Sequence, residues 1–168
     1  KSDGSLFGTV GVKDINPGSA SSTPGFLTNL NGMLLFQAND GTSGVELWKS
    51  DGTLAGTVMV KDINPGTGSS TPAFLTKVNG MLLFQANDGT SRGELWRSDG
   101  TSAGTVRVQD IHPGIASSGP IHLTAAGSLL YFEANDGIAS GEPWALNVNH
   151  DRSTDFDGDR RTDLAVFN

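Results

Sequence analysis

The chain has 168 residues, 36% of them hydrophobic and 17% charged, with a formal net charge of −7 and no cysteine. That balance excludes an intrinsically disordered chain and a disulfide framework, and the lack of a basic patch excludes nucleic acid as a partner. No apolar run is long enough to cross a bilayer as a helix, so membrane insertion is not expected.

Self-similarity organises everything else. Glu46-Leu47-Trp48-Lys49-Ser50-Asp51-Gly52-Thr53 recurs as Glu94-Leu95-Trp96-Arg97-Ser98-Asp99-Gly100-Thr101, and a worn form stands at Glu142-Pro143-Trp144. The tryptophans set a period of 48 residues and divide the chain into gapless copies 1–48, 49–96 and 97–144. A fixed period of this size is the mark of a repeat architecture, in which one unit cannot bury its apolar face alone. The first copy starts one residue after the place of a tryptophan, so the chain is expected to be a piece of a longer protein.

Each copy opens on Ser-Asp-Gly and reaches Gly-Thr-Val at Gly8, Gly56 and Gly104. Asp-Ile-x-Pro-Gly follows at 14–18, 62–66 and 110–114, then a Ser-rich link ending at Pro24, Pro72 and Pro120. A short piece containing Leu-Thr comes next (Leu27, Leu75, Leu123), then the apolar runs Met33–Ala38, Met81–Ala86 and Leu129–Ala134, each stopped by Asn-Asp-Gly. Runs of β-branched and aromatic residues between such turns predict four strands per copy, in the middle copy 57–62, 73–78, 81–86 and 93–98. Asn79-Gly80 between two apolar runs is a hairpin signal. Met81-Leu82-Leu83-Phe84 does not alternate, so that strand should be covered on both faces. No segment has helical periodicity. Four short antiparallel strands per unit, stacked face to face, describe a propeller blade. The fold expected is all-β: a β-propeller-like array of three four-stranded antiparallel blades over 1–48, 49–96 and 97–144. Three blades do not close a ring, since propellers use about four to eight. Further repeats upstream, or association of chains, should complete it.

The Glu-Leu-Trp-x-Ser-Asp-Gly-Thr pattern resembles the bacterial ELWxxDGT-repeat family over residues 1–144. The resemblance implies a propeller-like array in large secreted or cell-surface proteins, and hence an extracellular setting. In the third copy Pro143 takes the place of leucine. Proline there fits a sheet edge that must not recruit a further strand, or plain drift in a last repeat.

Residues 145–154 read as a linker, and 155–168 as a partial module. Asp155, Asp157, Asp159 and Asp163 occupy positions 1, 3, 5 and 9 of a nine-residue loop. Ca²⁺ takes six to eight oxygen ligands, and alternating carboxylates on a tight loop supply them. Arg161 would give its main-chain carbonyl. The stretch resembles the calcium loop of FG-GAP/VCBS-type repeats, which implies these four side chains as ligands and Leu164-Ala165-Val166 as the start of a strand. Arg160 stands where that loop usually has glycine.

Other residues carry weaker signals. Asp40, Glu46 and Asp51, with Asp88, Glu94 and Asp99, suggest a metal site per unit; turn chemistry explains them as well. Trp48, Trp96 and Trp144 read either as anchors between sheets or as a sugar-stacking ladder. His112 and His122 occur in the third copy alone and have no ligand spacing. No nucleophile elbow, zinc motif or phosphate loop is present, so no catalysis is expected. Two readings stand: a non-catalytic structural or adhesion module stabilised by Ca²⁺, with neighbouring repeats of its own or another chain as partners, or a carbohydrate-binding propeller engaging cell-surface glycans. Cell-surface proteins are a further class of partner.

Overall fold

The computed structural model describes residues 1–2 and 4–148 and, for the backbone alone, 164–166. Twelve strands form three antiparallel sheets among these residues. The first sheet holds β1 (Gly25–Leu30), β2 (Met33–Asn39), β3 (Val45–Ser50) and β4 (Val58–Lys61), side by side in chain order. The second repeats it with β5 (Ala73–Val78), β6 (Met81–Ala86), β7 (Glu94–Ser98) and β8 (Val106–Gln109). The third is built of β9 (Ile121–Ala126), β10 (Leu129–Ala134) and β11 (Glu142–Asn147), and the three-residue β12 (Leu164–Val166) pairs along the outer side of β11.

The strands stand where the sequence places them. Those expected at 57–62, 73–78, 81–86 and 93–98 are β4, β5, β6 and β7. Their grouping differs from the copies as cut at tryptophan. Each of the first two sheets takes its outermost strand from the following copy, so the sheets run 25–61 and 73–109. The reason lies in the turns. Ser-Asp-Gly-Thr closes the tight hairpins β3–β4 and β7–β8, whereas the longer Asp-Ile-x-Pro-Gly and Ser-rich stretch passes between sheets. Asn31 and Gly32 (φ 53° and 88°), like Asn79 and Gly80 (47° and 78°), hold the paired positive φ of a type I′ hairpin.

The core sits between sheets. Leu30, Leu35, Leu47, Val60 and Ile63 meet Leu82, Phe84, Ala86 and Trp96 across the first interface. Val78, Leu83, Leu95 and Ile111 meet Leu130, Phe132, Ala134 and Trp144 across the second. Strand β6 serves both: Leu82 and Phe84 face the first sheet, Leu83 the third, and none is more than 1% exposed. This is the doubly covered strand that its unbroken apolar run predicts. A third cluster joins Phe36, Ala38 and Trp48 of the first sheet to Ile15 of the N-terminal segment.

Polar ties cross each interface. Thr28 Oγ1 donates to Leu75 O and Thr76 Oγ1 to Leu123 O, both at 3.2 Å, lacing β1, β5 and β9 together. Lys13 Nζ donates to Thr57 O (2.8 Å) and Lys61 Nζ to Thr105 O (2.7 Å). Each ammonium also lies 5.9 Å over an indole, that of Trp48 or Trp96. The sheets stand in series, and no closed ring forms among the described residues.

Among the described residues Pro143 has a ladder partner on the β10 side, Glu133, and none on the side that β12 borders. It lies on β11, which has β10 on one side and β12 on the other. Strand β12 pairs with Trp144, Ala145 and Leu146, so the missing N–H of Pro143 takes nothing from that ladder.

Candidate functional site

The repeated acids are held by backbone, each in its own way. Asp40 Oδ1 accepts from the amides of Thr42 (2.8 Å) and Ser43 (2.7 Å), and Asp88 repeats this with Thr90 and Ser91. Asp51 Oδ1 accepts from Thr53 N and Oγ1, as Asp99 does from Thr101. Burial pulls the Asp40, Asp88 and Asp99 carboxyls upward, but these hydrogen bonds outweigh it and hold all three below the usual aspartate range. The turn reading is therefore the right one for the aspartates. Among the described residues no group of three or more acidic or histidine side chains is placed to hold a metal ion.

Glu46 and Glu94 do something the motif alone does not reveal. Both are 0% exposed. Glu46 Oε1 accepts from Ser70 N (2.9 Å), while Oε2 accepts from Ile63 N (2.9 Å) and Ser70 Oγ (2.6 Å). Glu94 holds Ser118 N (2.8 Å) and Ser118 Oγ (2.5 Å) in the same way. Ile63, Ser70, Ile111 and Ser118 all lie on connections that leave one sheet for the next. The opposite end of each connection is tied to the sheet it enters, through Asn87 N to Ser70 O (3.0 Å) and Asn135 N to Ser118 O (2.9 Å). One carboxylate thus clamps a whole crossover. Burial pushes both carboxyls above the ordinary glutamate range, against the pull of their hydrogen bonds. A carboxylate closed off from solvent and bonded to amides cannot reach a substrate.

The tryptophans lie in the interfaces. Trp48, Trp96 and Trp144 are 6%, 6% and 8% exposed, and their faces are covered by the adjoining sheet or segment. None of the three lines either of the two grooves bordered by described residues at Phe26–Leu123 and at His122–Pro143. His112 takes the place of Asn16 and Asn64 against the glycine of an Asn-Asp-Gly turn. A Cβ on Gly41, Gly89 or Gly137 would meet that side chain at 2.5, 2.5 or 2.6 Å. The histidine is a turn-packing residue. The loop Asp155, Asp157, Asp159, Arg161 and Asp163 lies outside the described residues. Its place in the chain is between β11 and β12, directly ahead of Leu164.

One feature escapes sequence reasoning. Phe26, Phe74 and His122 hold equivalent positions at the starts of β1, β5 and β9, and all three have left-handed backbone, at φ 53°, 57° and 57°. Register slips beside each of them, between Gly25 and Thr28, between Ala73 and Thr76, and between Tyr131 and Glu133 on the facing strand. A non-glycine residue in this region costs of order 1–3 kcal/mol. The rings of Phe26 and Phe74 stay 47% and 38% exposed, with centroids 6.2 Å apart. With Leu27, Leu75, His122 and Leu123 they border an open groove of about 520 Å³. His122 Nδ1 lies 3.2 Å from Glu133 Oε2 at its far end. Two phenylalanines at one repeat position are legible as a pattern; their positive φ and exposure are not.

Neither a protein-family model nor a curated protein matches the chain.

Proposed function

We propose that this chain is a non-catalytic structural or adhesion module of a secreted or cell-surface bacterial protein, a propeller-like array that binds Ca²⁺ at its C-terminal loop. The observation that carries the reading is the double Glu–Ser clamp. The recurring acids of the motif bind the chain's own amides, so the motif builds interfaces between repeats. Its partners are then neighbouring repeats, of the same chain or another. The resemblance to ELWxxDGT repeats supports the extracellular setting.

The donor set at 155–163 suits a hard cation: Asp155, Asp157, Asp159 and Asp163 offer carboxylates and Arg161 a carbonyl. The ion would neutralise side chains that otherwise repel. Because the loop ends where β12 begins, it would also fix the strand that borders β11. Melting the chain in Ca²⁺ and in chelator tests this. At a hundredfold excess over Kd the ion should add about 2.7 kcal/mol, and an Asp157→Ala/Asp159→Ala variant should lose the gain. An unchanged melting temperature with the wild-type loop would remove calcium from the account.

A second reading, glycan binding, is favoured by the exposed Phe26 and Phe74 rings in place of the buried tryptophans. Aromatic faces beside a polar pair such as His122 and Glu133 suit the apolar side of a sugar. Glycan binding that Phe74→Ala abolishes would support it; a silent glycan array would end it.

A further inference from the structure

The groove bordered by β1, β5 and β9 is built the same way three times. Phe26, Phe74 and His122 share one repeat position and one left-handed backbone. The threonine two residues on fastens each of them. Thr28 Oγ1 donates to Phe26 O (3.1 Å), Thr76 Oγ1 to Phe74 O (2.9 Å) and Thr124 Oγ1 to His122 O (3.0 Å). The bulge gives consecutive residues opposite uses. Leu75 and Leu123 pack on the cores, while the residue before each of them borders the groove and is exposed. Phe74 belongs to the middle sheet, which packs on a described sheet at either face, so its 38% exposure is set by the strand itself. A left-handed phenylalanine kept in water forgoes burial and carries backbone strain, and strain of this kind collects where ligands are clamped.

The third copy changes two residues of this arrangement together. In the first two sheets the residue before each phenylalanine pairs with a glutamine, Gly25 with Gln37 and Ala73 with Gln85. In the third, Ile121 pairs with Glu133, and His122 stands in the place of phenylalanine. The two replacements meet, with His122 Nδ1 3.2 Å from Glu133 Oε2. Neither change alone would make an ionisable pair. Nδ1–H donating to the carboxylate fixes the tautomer in which Nε2 is an acceptor. The threonine hydroxyls commit their hydrogens to main-chain carbonyls and keep lone pairs. The polar side chains of the groove therefore call for donors. None of the residues bordering it is lysine or arginine, and the chain carries a formal charge of −7, so an anionic ligand meets no counter-charge.

We infer that the groove takes a short chain of uncharged sugars laid across β1, β5 and β9, with ring faces against Phe26 and Phe74 and the hydroxyls of one end donating to His122 Nε2 and the Glu133 carboxylate. A sugar ring matches that lining, because it has an apolar C–H face for an aromatic ring and hydroxyl donors around its rim. Three equivalent positions in a row set the length at about three units. The charge argument excludes uronic, sialylated and sulfated chains. The inference rests on the glycan reading and adds to it the ligand's length, its charge class and the residues that read its end.

An array of neutral, uronic and sulfated oligosaccharides, followed by calorimetric titration of the full chain with neutral linear oligomers of increasing length, decides it. Affinity should rise with each unit up to the trisaccharide and then level off. Trisaccharides made deoxy at one terminal unit or the other should divide: one should bind about tenfold more weakly than the parent, the other as well as the parent. His122→Phe/Glu133→Gln gives the third sheet the residues that the first two carry at φ 53° and 57°, so the backbone is kept. That variant should bind all three trisaccharides alike. A preference for anionic chains, an affinity that stops rising at one unit, or a double variant that still discriminates tenfold would overturn the inference and leave glycan binding standing. A silent array would remove both.

Discussion

The glutamate of the motif shows how one side chain can organise a repeat. At Glu94, two carboxylate oxygens receive Ser118 N and Oγ, and the Ile111 amide bonds to the same group. Removing the side chain strands buried donors, each at about 1–3 kcal/mol. Glu94→Ala should therefore lower unfolding free energy by roughly 2–5 kcal/mol, measured by urea titration, with Glu94→Gln costing less because an acceptor remains. The charge itself has the opposite sign of effect. Because burial raises the Glu94 carboxyl, the native state holds a proton over a window in which the unfolded chain has already released it. That contribution to stability is complete below the ordinary glutamate value and is lost as pH rises through the raised one. Asp88 and Asp99 are depressed, so theirs is lost as pH falls through their lowered values. Glu94→Gln should flatten the decline on the higher-pH side and leave the acid limb unchanged. A variant whose pH profile matches wild type would show that the buried carboxyl titrates as it does in the unfolded chain.

At the scale of the element, the hairpin written as Ser-Asp-Gly-Thr is a closed knot of hydrogen bonds. Ser98 Oγ and Thr105 Oγ1 lie 2.7 Å apart, Gly100 N donates to Ser98 Oγ (3.0 Å), and Gly104 N donates to Thr101 Oγ1 (2.9 Å). The Asp99 carboxylate fills the space beside Gly104, where a Cβ would meet it at 2.2 Å. Gly104→Ala must push that carboxylate off the Thr101 amide or open the turn. It should cost about 1–3 kcal/mol, as overpacking does, with loss of protection in β7 and β8 visible by amide exchange; equal stability would mean the turn has room to relax. Strand positions were legible here because turn residues and apolar runs alternate cleanly, and β5 and β6 begin and end where those signals put them. Sheet membership was not. A tight turn and a crossover both read as polar, glycine-rich breaks, and only the clamp from Glu46 to Ser70 shows which break leaves the sheet. The left-handed Phe26 and Phe74 were equally out of reach, since aromatic residues carry no sequence cue for positive φ. The site at 155–163 shows the reverse case. Its carboxylate spacing is plain in sequence, and it lies outside the described residues.

For the whole molecule, stability is a chain of nearest-neighbour interfaces, and β6 is where two of them meet. Leu82 and Leu83 are adjacent in sequence and 0% and 1% exposed, yet they belong to different cores. Truncating either to alanine should cost about 2–5 kcal/mol, so total stability will not tell them apart. Location will. Leu83→Ala weakens the seam between the second and third sheets, so amide exchange should quicken across β9, β10 and β11 and change little in β1, β2 and β3. Leu82→Ala should do the reverse, because Leu82 packs with Leu30, Leu35 and Leu47. The sheets in series have no single shared core through which the loss could spread evenly. A uniform rise in exchange after either substitution would mean that the three sheets unfold as one unit, and that the repeat is a feature of sequence but not of energetics.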